Sequence, residues 1–305
     1  MRELLYLKMA DRTFMLASPD EIFRKLHRLP VYPGLASEIV KICGAHEADI
    51  PSLIKLIASD QGLTLEILKV ANSRFYNYEK QISSIEGAIV ILGMDMVKQM
   101  AVSLSLSSLS RNILLNFTEM SSKLARHALN TALILKMLGE NFDSANHELL
   151  YYSGLLHDSG KLIFLQVLGE EYAIIYQKSV QENRSLCELE SEYFGMNHTE
   201  VGAVLTQRWH LPEELTHLIR YHHQPMDYKS GEKVDFRIRL VYLGNLISHF
   251  IENGLMHYDE LKKLDSRYQD ILSITEIEFG RLVEQARKEI QAHFEITKLL
   301  EMAHS

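Results

Sequence analysis

Residues 51–60, Pro-Ser-Leu-Ile-Lys-Leu-Ile-Ala-Ser-Asp, carry the pattern that decides the fold class. Leu53, Ile54 and Ile57 fall on one face of a helix, and Asp49 stands where a cap would accept from the first-turn amides. Pro51 is followed by no other proline until Pro212. Proline breaks helix interiors, so so long a proline-free run suits a succession of helices. Ser83 and Glu86 have capping-box spacing ahead of the apolar run Ile89 to Leu92, and Thr275 and Glu278 repeat it before Leu282, Val283, Ala286 and Ile290. Gly93 is placed to close one helix, and the next carries Val97, Met100 and Ala101 on its apolar side. Strand signals are scarce. The best, Val234 to Leu240, has no Asn-Gly or Asp-Gly turn beside it. No repeat or low-complexity tract interrupts the pattern, and the expectation is an all-α fold.

The chain has 305 residues, 47% apolar and 24% charged, the balance of a folded globular protein. A net charge of −8 and a pI near 6.0 argue against a nucleic-acid or anionic-membrane partner, which would need a basic face. Cys43 and Cys187 stand far apart without a CxxC pair, so no disulfide framework is expected and a reducing cytoplasm is the natural location. The first residues, MRELLYLKMADRTFML, are interrupted by Lys8, Asp11 and Arg12, and read neither as a secretory signal nor as a membrane span.

Two segments punctuate the helices. Residues near 106–117 lose the clean amphipathic pattern, and the segment 106–121 reads as a joint between two helical lobes. They contain no proline or glycine and keep Leu109, Ile113, Leu114, Leu115 and Phe117 to bury, unlike a flexible linker. The lobes are therefore expected to form one rigid unit with a joint surface. Residues 225–234, PMDYKSGEKV, read as a loop.

The chemistry concentrates in Gly154-Leu155-Leu156-His157-Asp158-Ser159-Gly160-Lys161. An imidazole beside a carboxylate supplies two ligands to one metal, or lets the carboxylate bridge two. Alone, such a pair is common and usually only hydrogen-bonded. Here it keeps company with His127 upstream, His198 downstream and the pair His222-His223 before the loop, all imidazoles suited to borderline metals.

The order His127, His157-Asp158, His198, His222-His223 resembles the HD superfamily of metal-dependent phosphohydrolases, in the arrangement of its HD-GYP cyclic-dinucleotide phosphodiesterases. The upstream half resembles the amino-terminal helical lobe of HDOD proteins, in LHRLPVYPGLASEIVKI (residues 26–42), LIASDQGLTLEILKVANSRFYN (56–77) and ISSIEGAIVILGMDMVKQMAVSLSL (82–106). LPEELTHLIRYHHQP (211–225) matches that family too, and the resemblance runs from about Ile22 to about Ile247. It implies a two-lobed helical bundle: an extension at 1–21, an amino-terminal lobe at 22–115, an HD-like lobe at 116–250 and a carboxy-terminal helical extension at 251–305. It also implies a bacterial signalling module without the superfamily's hydrolase activity.

Departures from the enzyme pattern agree with that. Asn245, in LVYLGNLIS, stands in place of the late aspartate ligand. Lys123 stands where HD-GYP enzymes often carry a glutamate, one turn before His127, and a cation there would oppose a metal. No Gly-Tyr-Pro follows the paired histidines. The expected ligand set is His127, His157, Asp158, His198, His222 and His223, with Lys161 a candidate phosphate contact or simply a solvated helix lysine. Losing two carboxylates disfavours Mg²⁺, leaving iron first, then zinc or nickel. The competing reading is an ion-free histidine cluster held by hydrogen bonds and water. Trp209 reads as a core anchor with His210 beside it at the surface, Asn72 and Ser73 as architectural, and His147, His217, His249, His257, His293 and His304 as outside the site. Three functions compete: a regulatory module binding protein partners or a small nucleotide ligand, a metal-dependent phosphohydrolase of a nucleotide or cyclic dinucleotide, and an iron oxygenase with a mixed-valence pair.

Overall fold

The computed structural model describes residues 16–28, 38–39, 41–42, 50–72, 82–101, 118–143, 147–209, 211–230 and 233–302. Among them the fold is all-α apart from one two-residue hairpin, in which Lys229–Ser230 pairs antiparallel with Lys233–Val234 inside the expected loop. Val234 ends that hairpin, and the candidate strand Val234 to Leu240 is otherwise helical: Asp235 caps a helix that begins at Phe236, its side chain accepting from the Arg237 amide.

Helix α1 (Pro19–Arg28) precedes α2 (Ile50–Ala58), α3 (Gln61–Ala71) and α4 (Ile85–Leu92). Leu53 and Ile57 are buried, as their spacing implies. Ser84, not Ser83, caps α4 by accepting from the Gly87 amide. The phase is set by burial, since starting the helix at Ile85 puts Ile85 and Ala88 in the core. Gly93 ends α4 at φ 84, a conformation that favours glycine. Asn72 holds α3 to the segment before α4, donating to the Leu68 and Ile82 carbonyls and accepting from the Ile82 amide. A further helical segment, residues 94–101, buries Val97 and Ala101.

The second half is built on α5 (Thr118–Phe142) and α6 (His147–Leu156), which pack along each other. Their closeness depends on Gly154, where a Cβ would fall 2.5 Å from Ala132 Cα. Around them lie α7 (Ser159–Leu168), α8 (Glu170–Glu182), α9 (Leu186–Phe194), α10 (His198–Arg208), α11 (Glu213–Tyr221) and α12 (Phe236–Glu252). The last helix, α13 (Glu276–Met302), packs on α5 and α12. Thr275 and Glu278 form the expected reciprocal cap at its start, and Leu282, Val283 and Ala286 are buried. Trp209 is a core residue as expected.

The two halves share one apolar core. Lys98, from residues 94–101, pairs with Glu148 of α6 at 2.9 Å, and Lys25 of α1 donates to the Val167 carbonyl of α7. Asp49, Cys43, Ser73, His210 and most of the joining segment 106–121 lie outside the described residues.

Candidate metal centre

One mid-helix position and three helix junctions deliver the side chains. His127 lies midway along α5, His157 and Asp158 occupy the turn between α6 and α7, and His198 opens α10. His222 and His223 follow the end of α11. The turn at 157–158 is pressed against α10 because residue 160 is glycine: a Cβ there would fall onto the His198 carbonyl oxygen. Asn197 caps α10 in a full capping box with Glu200, fixing where His198 begins.

All six expected residues meet around Asp158, which is 4% exposed. Its Oδ1 lies 3.4 Å from His198 Nε2 and 3.7 Å from His222 Nε2. His223 Nε2 is 3.1 Å from His198 Nε2. Oδ2 lies 3.4 Å from His157 Nε2 and 3.7 Å from His127 Nε2, and those two nitrogens are 3.3 Å apart. The six residues thus make two groups of donors that share one carboxylate.

Outer partners orient the rings. Nδ1–H of His157 donates to the Gly154 carbonyl at 2.8 Å, and Nδ1–H of His222 to the Ile219 carbonyl at 2.7 Å. Both rings therefore aim an Nε2 lone pair at the cluster, the arrangement a metal-ligating histidine needs. His198 donates from Nδ1 to Glu190 Oε2 at 2.6 Å, and the same oxygen accepts from the His198 amide. Glu190 is fully buried and accepts from Tyr172 through its other oxygen.

Burial holds His157 and His223 below the usual imidazole range and pushes His222 down to about 3, so these rings are neutral donors. His198 goes the other way: against the cost of burial, Cys187 and Glu190 beside it raise it to about 10. Asp158 is held well below the carboxylate range, because His157 and Lys161 outweigh its burial. Asp158 Oδ1 and His222 Nε2 are buried without a hydrogen-bond partner. Such orphans are costly unless something fills the space between them, and an imidazole-rich donor set facing them fits a borderline divalent ion.

Two expectations need correction. Lys161 is not a solvated helix lysine: it is 6% exposed and donates to Asp158 Oδ2 at 2.6 Å. Lys123 does not face the site; its exposed ammonium pairs with Glu119, one turn back, at 2.8 Å. Asn245 is inside the site, its Oδ1 3.0 Å from His127 Nε2.

The sequence reading missed Glu190, Glu252 and His249. Glu252 Oε2 lies 2.9 Å from His127 Nδ1, and His249 stacks on His127 at 4.2 Å between centroids. Both were findable, since positions 249 and 252 lie four and seven residues after Asn245, on the same helical face. Glu190 has no such local signal. A cleft of about 320 Å³ opens on the cluster, with Lys161, Cys187, His198, His223, Asn245 and His249 in its wall.

The profile of the HDOD domain family matches residues 29–225. An uncharacterised protein of Treponema pallidum (strain Nichols) is 23% identical over 294 residues, 95% of this chain but 54% of that protein, so the chain spans about half the length of this curated relative. Among solved structures, an HDOD domain protein of unknown function from Geobacter sulfurreducens aligns at TM-score 0.63 and 24% identity, over 90% of this chain and 92% of that one. A provisionally assigned phosphohydrolase from Shewanella amazonensis SB2B aligns at 0.66 and 18%, over 92% and 98%. A provisionally assigned signal transduction protein from Marinobacter aquaeolei VT8 aligns at 0.68 and 19%, over 94% and 65%. At these identities the likeness is one of fold. Among the described residues no helix is long and apolar enough to cross a membrane.

Proposed function

The chain belongs to the HDOD domain family, and from that premise we propose that it is a non-catalytic signalling module built around a metal-binding histidine–aspartate centre. One observation carries the reading: the atom facing His127 Nε2 is the amide oxygen of Asn245, at 3.0 Å. A carboxylate there would bring a negative charge to a metal; a neutral amide brings none and is a poor ligand. Lys161 adds to this, because its ammonium on Asp158 Oδ2 repels a cation from the same oxygen. The histidines remaining around Asp158 still suit iron, zinc or nickel.

In this reading the ion is structural or sensory. It ties the α6–α7 turn, α10 and α11 together, and a small ligand such as a nucleotide, entering the cleft, would alter that tie. A regulatory protein would read the outcome on the helical surface shared by the two halves. The hydrolase reading keeps one specific support, the opening of the cleft onto the donors. A turnover assay decides between them. The protein, loaded with Fe²⁺, Mn²⁺ or Zn²⁺ and offered cyclic di-GMP, is expected to give no hydrolysis; turnover of about 1 s⁻¹ or more would refute the non-catalytic reading.

A further inference from the structure

The two groups of donors around Asp158 are not equivalent, and the difference lies in what else touches them. In the group on Oδ2, every polar atom is already engaged. Oδ2 accepts from the Lys161 ammonium at 2.6 Å. His127 has an oxygen on each side, Glu252 Oε2 at 2.9 Å from Nδ1 and Asn245 Oδ1 at 3.0 Å from Nε2. Those are the surroundings of a ring that donates hydrogen bonds, not of one that aims a lone pair at an ion. His157 Nε2 is hydrogen-bonded to His127 Nε2.

The group on Oδ1 is less occupied, although His223 Nε2 and His198 Nε2 are in hydrogen-bond contact at 3.1 Å. No lysine or amide reaches into it among the described residues, and it contains the two orphaned atoms, Asp158 Oδ1 and His222 Nε2. Asp158, His198, His222 and His223 each offer one donor there. The contacts measured among them run from 3.1 to 3.7 Å. Donors bound at about 2.1 Å to one tetrahedral ion lie roughly 3.4 Å apart. This group needs little movement to close on an ion.

We infer that the centre holds one divalent ion, bound by Asp158 Oδ1, His198, His222 and His223, and that Lys161 is a built-in cation occupying the place of a second. The inference rests on the metal reading above and narrows it: His127 and His157 are supports and not ligands. Charge points the same way: the Lys161 ammonium already lies against Asp158 Oδ2 at 2.6 Å, and a second divalent ion on that oxygen would set positive charge beside positive charge in a largely buried site, which is costly.

The test counts ions. Protein purified without metal-affinity resin is stripped with chelator, titrated with cobalt(II) alone, and analysed for metal per chain. One cobalt per chain is expected, with the intense visible bands of a tetrahedral site. Two per chain in the wild type would overturn the inference and leave the metal reading intact; none would overturn the metal reading itself. His222→Ala should lower affinity by a factor of about 100 or more, whereas His127→Gln should keep one ion bound within about tenfold. Equal loss in both would refute the assignment of ligands. Lys161→Met, close in size and uncharged, should admit a second cobalt; a count that stays at one would refute the role given to Lys161. Circular dichroism and thermal melts of each variant confirm that the protein counted is folded.

Discussion

Replacing Gly160 by alanine tests how the centre is assembled. The added Cβ would fall onto the His198 carbonyl oxygen, 2.8 Å from the carbonyl carbon and 2.9 Å from Cα. These are backbone atoms at the start of α10, so no side-chain rotation relieves the clash. Ordinary carbon contacts begin near about 3.5 Å, so α7 and α10 must separate by ~1 Å. Overpacking of this kind costs about 3 kcal/mol. Alanine returns at most about 1 kcal/mol of helix propensity, leaving about 2 kcal/mol of net destabilisation. At roughly 2–4 °C per kcal/mol for a domain of this size, Tm should fall by about 4–8 °C. The effect on the ion is larger in proportion, because Asp158 and His198 lie on opposite sides of the opened contact and metal sites tolerate errors of only about 0.2 Å. A fall in cobalt affinity on the order of 100-fold is expected. The assays are a circular dichroism melt and a competition titration against a chelating indicator. A variant melting within about 1 °C of wild type and binding cobalt equally well would refute this account of the α7–α10 contact.

Other substitutions test single links. Gly280→Ala adds a Cβ to α13 where nothing lies within 4 Å, so stability should rise by about 0.5–1 kcal/mol in urea denaturation. Asp235→Ala removes the cap of α12 and should cost about 1 kcal/mol at neutral pH. Despite partial burial, hydrogen bonds and charge from Arg237 hold the Asp235 carboxyl below its ordinary 3.8. Its contribution is therefore complete above that value and lost as pH falls through the lower, folded-state pKa, so wild type and variant should converge in acid; a constant gap down to about pH 2 would contradict this. Arg267→Ala removes a half-exposed guanidinium that donates to the His223 carbonyl at 3.1 Å while held by Asp265. Its exposed ion pair should cost under about 1 kcal/mol of stability, yet cobalt affinity should drop about tenfold as His223 loses its orientation.

The parts legible in the sequence were those written locally. The cap at Thr275, the stop at Gly93 and the buried face of Leu53 and Ile57 each depend on residues within one or two turns. The histidine order was legible because His157-Asp158 and His222-His223 are neighbours that announce themselves. Ser83 and Ser84 were not separable, as either hydroxyl could cap; only the burial of Ile85 and Ala88 selects the phase. Lys123 was misread because sharing a face with His127 fixes only where Cα sits. Its long side chain turns back to Glu119 in solvent. Lys161 was undervalued for the converse reason: lysine is rarely buried, and only the carboxylate of Asp158, three residues earlier, makes its burial tolerable. Glu190 depends on α9 lying against α10, a tertiary fact without a local trace.

Much of what closes the centre lies beyond the segment matched to the family. That match ends at residue 225, whereas Asn245, His249, Glu252 and Ser248, whose Oγ lies 3.2 Å from His127 Nδ1, come from α12 and Arg267 from the turns that follow it. α12 is not a loose addition: Ile238, Val241, Leu246, Ile247 and Phe250 are buried, and it packs along α5 beside His127. A single helix outside the defining histidine–aspartate order thus decides whether His127 faces a carboxylate, an amide or an ion. Changing position 245 or 252 alters the charge beside His127 while leaving Asp158, His198, His222 and His223 where they are. Two chains with the same histidine–aspartate order can therefore differ in the charge beside His127 through α12 alone, which is why that order by itself does not assign an activity.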